Sequence, residues 1–180
     1  MARRLVELKI ADEVAAGAVG EPGKRTFYLR AREGANSVNL WLEKEQLQAL
    51  ALGIRQVLGE LAEQDPSLAV ADDIEPPLLP PFGLNGPFDV EFRVAQLALG
   101  YDATQDLLRV SAVELAEEED AAMTVRFGAT RDQMNVLSLQ ALVSAAAGRP
   151  LCSLCGRPID REGHFCPRRN GHSRPVDAGM

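Results

Sequence analysis

The side chains best suited to binding metal or attacking a substrate are confined to one end of this chain. The three cysteines lie between positions 152 and 166, and the two histidines are at 164 and 172. Cys152-Ser-Leu-Cys155-Gly156 sets two thiols three positions apart ahead of a glycine. That is the pattern of a knuckle turning both sulfurs toward one cation, with glycine permitting the tight backbone. Gly163-His164-Phe165-Cys166-Pro167 begins eight residues after Cys155 and offers two further donors one residue apart. In extended backbone residues i and i+2 share a face, so His164 and Cys166 can reach the same ion. Sulfur and nitrogen donors favour zinc over magnesium or calcium, and a complete set of four points to structural zinc, since a catalytic zinc keeps one position open. His172 competes for the fourth place through the spacing Cys166-x5-His172. A redox dithiol is the other chemistry open to such a pair of thiols. A zinc deaminase does not fit, because it needs His-x-Glu ahead of Pro-Cys-x-x-Cys and this chain has no His-x-Glu.

An odd number of closely spaced cysteines, with no signal-like N-terminus and no long apolar run, suits metal binding in a reducing cytoplasm better than a disulfide framework. Residues 1–148 hold no histidine and no cysteine, which removes the commonest general base and the best nucleophile. They also lack a Gly-x-x-x-x-Gly-Lys-Ser/Thr phosphate loop. Chemistry in this body would have to use carboxylates, lysine or tyrosine, and no pair stands out. The formal net charge of −7 is divided unevenly: residues 1–148 carry 13 basic and 23 acidic side chains, residues 149–180 six arginines and three acids. The body should repel nucleic acid and anionic membranes, and only the tail, with Arg157, Arg161, Arg168 and Arg169, could attract an acidic partner.

The elements that must position these residues say similar things twice. Val6-Glu7-Leu8-Lys9-Ile10-Ala11 alternates apolar and charged residues as a half-buried strand does, and Val90-Glu91-Phe92-Arg93-Val94-Ala95 repeats it position for position. Small apolar residues then lead to Gly20 and Gly100, followed by strand-like runs near 25–32 and 107–115. A last strand enters a helix in each half, Val38 to Leu47 matching Val125 to Met134. Leu47, Leu50, Ala51, Ile54, Val57, Leu58 and Leu61 form a single apolar stripe. The second helix opens on a Thr130-x-x-Gln133 capping box and stops by Gly148. These readings predict an α+β protein of internally duplicated, strand-rich halves. Each half has about four strands and one helix on an antiparallel sheet, followed by a small zinc-ribbon-like module. The expected divisions are 1–63, a Pro-rich acidic linker at 64–87, a second half at 88–148 and a tail at 149–180. In Gly20-Glu21-Pro22-Gly23-Lys24-Arg25-Thr26-Phe27-Tyr28, Pro22-Gly23 suits a type II turn. Lys24 and Arg25 beside Tyr28 could form an anion-binding corner or simply an exposed hairpin.

The run at 20–29, the Glu91-Phe92-Arg93-Val94 strand and the ending Gly148-Arg149-Pro150…Cys152-x-x-Cys155…Gly163-His164-x-Cys166-x-Arg168-x-Asn170-Gly171 resemble, across essentially the whole chain, a bacterial family catalogued as domain of unknown function 3090, common in actinobacteria. The resemblance implies that His164 rather than His172 is the fourth ligand, because the family pattern keeps the histidine two residues before the last cysteine. It also implies a pathway shared with a histidine-phosphatase-like and a kinase-like protein, and it supplies no catalytic residues. The expectation is a non-catalytic binding or adaptor protein with structural zinc, whose tail, through Arg157, Arg168 and Arg169, docks a protein partner or an acidic small molecule. A second reading is an enzyme or small-molecule sensor with an anion-binding cleft between the halves, using Lys24, Arg25, Glu91 and Arg93. A third is nucleic-acid binding through the tail, against which the acidic body argues.

Overall fold

The computed structural model describes residues 4–77, 80, 84–118, 121–150, 152–157, 159, 162–166, 168 and 175–176. The chain divides into two compact units, one of Met1–Val19 with Thr26–Ala145, the other of Gly20–Arg25 with Ala146–Met180. In the first unit the strands are β1 (Leu5–Leu8), β2 (Glu13–Val19), β3 (Thr26–Glu33), β4 (Asn36–Leu42), β5 (Val90–Asp102), β6 (Leu107–Glu114) and β7 (Thr124–Ala129). Helix α1 (Lys44–Gln64) follows β4, and α2 (Arg131–Ala146) follows β7. The architecture is α+β: one mixed seven-stranded sheet, in the order β1-β7-β6-β5-β4-β3-β2, with two helices.

The sheet departs from the expected antiparallel one at two places. The pairs β1–β7 and β4–β5 are parallel, because the first strand of each half lies beside the last strand of the other half. Val6 faces Val125 and Leu8 faces Phe127; in the other half Val90 faces Val38 and Phe92 faces Leu40. The two exchanged strands thus sit in the same register. The second half has three strands instead of four, because β5 runs through as one 13-residue strand where the first half breaks into β1 and β2. A bulge between Val94 and Gln96 turns β5 from its parallel partner β4 to its antiparallel partner β6 without ending it. Glycine positions also shift. Gly17 faces Tyr28 as Gly100 faces Arg109, so Gly17, and not Gly20, is the counterpart of Gly100.

The sheet curls until its edges meet at the β1–β2 corner, where Ala11 N–H donates to Gly128 O and Asp12 N–H to Arg32 O, both at 2.7 Å. One core forms against it, in which Leu29, Leu40, Val110, Val125 and Phe127 pack with Leu47, Leu50 and Ile54 of α1 and Met134, Leu137 and Ala141 of α2. The apolar stripe read for α1 is the face it buries, with Val57 at its margin. In α2 the burial extends to polar residues, Asn135, Ser138 and Gln140, whereas Val143 is exposed.

Asn135 and Gln140, together with Arg131, hold the linker down. Asn135 Nδ2 donates to Ala71 O, Gln140 Nε2 donates to Pro77 O, and Arg131 donates to Leu68 O. Farther along, Arg30 Nη1 donates to Leu84 O, and Ser37 N–H donates to the Asp89 carboxylate at 2.7 Å. The linker expected at 64–87 is therefore tied at four points, and Asp89 just beyond it makes a fifth. The acidic run at 117–120 begins with exposed Glu117 and Glu118; residues 119 and 120 lie outside the described residues.

Candidate metal centre

In the second unit Cys152 N–H donates to Arg157 O and Gly156 N–H to Cys152 O, each at 2.8 Å, which closes the knuckle around Cys152 and Cys155. Gly156 has φ +71°, a left-handed conformation that a side chain would strain, so glycine is required for this reversal. The second pair of donors comes from strand β8 (His164–Phe165), paired antiparallel with β9 (Pro175–Val176), and from Cys166 just after β8. The ligand atoms of Cys152, Cys155, His164 and Cys166 all lie within 4.8 Å of one another.

The geometry fits one ion held by four donors. Cys152 Sγ and Cys166 Sγ are 3.9 Å apart, and Cys155 Sγ is 3.2 Å from His164 Nε2. A tetrahedral ion with metal–sulfur bonds of about 2.3 Å sets its sulfurs about 3.8 Å apart. All three thiols are free, and Cys152 and Cys166 are buried. Backbone N–H groups of Cys155 and Leu154 point at the Cys152 sulfur and lower its pKa, favouring the thiolate a metal needs. The Cys155 thiol receives the Arg157 N–H, yet burial and the neighbouring sulfurs raise its pKa on balance: crowded thiolates repel until a cation joins them. The His164 Nδ1 atom is buried without a hydrogen-bond partner among the described residues, so the ring meets the cluster through Nε2.

Of the basic residues expected to flank this centre, Arg157 and Arg168 are exposed, and Arg168 Nη1 donates to Leu154 O on the knuckle at 3.1 Å. His172, Arg161 and Arg169 lie outside the described residues. The β2–β3 hairpin tip belongs to this same unit. There Lys24 N–H donates to Glu21 O at 2.9 Å, and Gly23 has φ +89°, as the third residue of a type II turn requires. A side chain at Gly23 would meet the Arg149 guanidinium at 3.0 Å.

The other expected site residues have structural work. Tyr28 is buried, with its ring stacked under Arg30 at 3.9 Å, and burial raises its pKa while Arg30 opposes the shift. Glu91 accepts from the Trp41 indole at 2.7 Å, and Arg93 pairs with Glu43 at 3.1 Å on the surface. Lys24 and Arg25 fall in the second unit. Glu91 and Arg93 lie where β4 pairs with β5, with Leu40 and Phe92 buried in that pairing.

Sequence reasoning missed Arg30, which is clamped between Tyr28 and Phe88 while Nε donates to Asn39 Oδ1. It also missed the second role of Gln46 and Gln133. Beyond accepting from the N–H of the residue that caps its helix, Glu43 or Thr130, each donates across to the opposite half, Gln46 to Val94 O and Ala95 O, Gln133 to Ala11 O and Asp12 O. Their matching positions in the two halves were the available signal.

An α+β body joined to a Cys3His module capable of holding a metal ion defines the class of this protein. Residues 6–166 match the family described as protein of unknown function (DUF3090), and the chain belongs to that family. No curated protein and no solved structure matches the chain.

Proposed function

We propose that this chain is a non-catalytic binding protein whose terminal module is held together by one structural zinc ion on Cys152, Cys155, His164 and Cys166. The observation that carries the reading is the complete set of four soft donors within 4.8 Å, at the number a closed tetrahedral zinc site uses. The ion would supply charge neutralisation for three crowded thiolates and fix the knuckle against β8. The protein's own residues supply the N–H groups that favour the thiolate at Cys152. The exposed Arg157 and Arg168 would face a protein partner. Three free thiols suit a reducing cytoplasm as its compartment. No described helix is long and apolar enough to cross a membrane.

We also infer that the body arose by duplication of one half. The support is the shared register of the exchanged strands and the matching bonds of Gln46 and Gln133.

Metal analysis of the purified full chain tests the zinc reading. About one zinc per chain is expected, with loss in Cys152→Ser and His164→Ala. Full zinc stoichiometry in both variants would overturn the ligand set, and a metal-free wild-type chain prepared without chelator would overturn the centre itself.

A further inference from the structure

One strand edge inside the first unit has no strand beside it among the described residues. β4 pairs with β5 only from Val90 to Arg93, and β5 continues to Asp102. Glu114 N–H donates to Met123 O beside β7, so by the two-residue alternation of antiparallel ladders Val110 and Ala112 also direct their backbone groups toward β7. Their partners on β5, Leu99 and Leu97, then direct N–H and C=O away from β6, on the side where β4 pairs earlier in the strand. Gln46 takes the first two carbonyls of this stretch, Val94 and Ala95. Past that point the edge opens on a groove of about 310 Å³ lined by Ala49, Leu50, Gly53, Leu97 and Leu99.

The other half shows what fills the same place. Ala16 is there the counterpart of Leu99, since Ala16 faces Leu29 as Leu99 faces Val110. Its N–H donates to Gln140 Oε1 at 3.1 Å, and Gln140 Nε2 donates to Pro77 O at 2.8 Å, so a carboxamide bridges the strand edge to a backbone carbonyl of the linker. A carboxamide has the donor and acceptor of a peptide group. Gln140 lies seven residues after Gln133, and seven residues after Gln46 stands Gly53. One half closes its edge with a glutamine; the other leaves a glycine and a gap.

We infer that the β5 edge at Leu97 and Leu99 is a binding site for an extended segment of a partner polypeptide, which pairs with it as an added strand. Backbone groups two residues apart on one edge match the donors and acceptors of another extended chain, and a ladder of this kind is satisfied by polypeptide regardless of its side chains. The apolar lining and the small Ala49 and Gly53 leave room for one apolar side chain directed at α1. The inference gives the proposed binding protein a surface for its partner and does not depend on the metal.

Amide hydrogen exchange on the full chain tests it, with the blocked peptide acetyl-Thr-Val-Thr-Val-Thr-Val-amide as the probe. Millimolar peptide should slow exchange at Leu97 and Leu99 at least tenfold. Gly53→Gln, which transplants the other half's plug, should show slow exchange without peptide and no further response to it. Gly53→Ala should keep the response, because its Cβ would meet only Leu99 Cδ2, at an ordinary 3.4 Å. Both changes improve helix propensity, so α1 should form in each. Unchanged exchange with peptide, or edge amides already as slow as Leu29 without it, would overturn the site. Slowing that follows protein concentration alone would also overturn it, since the occupant would then be a second copy of the chain. Zinc measured in the same samples tells failure of the metal reading from failure of this one.

Discussion

Among individual side chains, the cluster around Asp106 shows how a local choice sets a measurable pH dependence. Asp106 adopts φ 52° between β5 and β6, a conformation that Asp and Asn tolerate better than most residues. Its carboxylate accepts from Arg131 Nε at 2.9 Å and from the Tyr101 hydroxyl at 2.7 Å. Arg131 first, then Tyr101, lowers its pKa, and the same contact raises the Tyr101 pKa. A carboxyl whose folded pKa is depressed adds stability above its unfolded pKa, near 3.9, and that contribution disappears as pH falls through the folded value. Asp106→Asn keeps the backbone preference and removes the charge. It should cost on the order of 1 kcal/mol or less at pH 7, because the Asp106 side chain is 45% exposed and water screens the pair. Urea titrations at pH 7 and near pH 3 should show the difference shrinking at acid pH. A cost independent of pH would mean that the ion pair contributes nothing.

The elements were legible where they bury one face, and their partnerships were not. The alternation of Val6 to Ala11 and Val90 to Ala95 marks strands, and the spacing of Leu47, Leu50, Ile54 and Leu58 marks one side of α1, because burial imposes those periods locally. Nothing local distinguishes a parallel partner as far along the chain as Val125 is from Val6 or Val90 from Val38, so the exchange of β1 and β5 between halves was invisible. Asn135 and Gln140 look like solvent-facing helix residues until Ala71 and Pro77 bring them carbonyls. The Cys/His spacing was legible because those residues are rare and their chemistry demands proximity. Gln46 and Gln133 stand between these cases: Gln133 reads as the N3 residue of a capping box, where Glu would serve equally, and Gln46 holds the matching position. The structure gives each carboxamide a second task, donating to the corner of the other half's strands. Gln46→Glu and Gln133→Glu keep the acceptor and lose that donor. Each should destabilise by about 1–2 kcal/mol, as loss of a satisfied carbonyl partner does, and the double variant should show roughly the sum, since the two share no partner. Denaturant midpoints unchanged in both would leave only the capping role.

In the molecule as a whole, the two units are stabilised by different means. The first buries a large apolar core shared by the sheet and both helices. Of the second, only Cys152 and Cys166 join the buried apolar residues among those described. With the proposed zinc bound, the free energy of metal binding would become folding free energy of a unit this small. The hairpin tip Gly20–Arg25 belongs to that unit, where the space left by Gly23 receives Arg149. Chelation should therefore speed amide exchange at Lys24 as well as at Cys152 and Gly156, whose N–H groups close the turn and the knuckle, while Leu29 and Val110 in the sheet stay protected. Acid should act the same way, because the thiols and the imidazole must be deprotonated to hold the ion. Restored zinc should return protection to the tip and the knuckle together. If chelation exposed the knuckle and left Lys24 unchanged, the hairpin tip would owe its order to the sheet it extends and not to the metal.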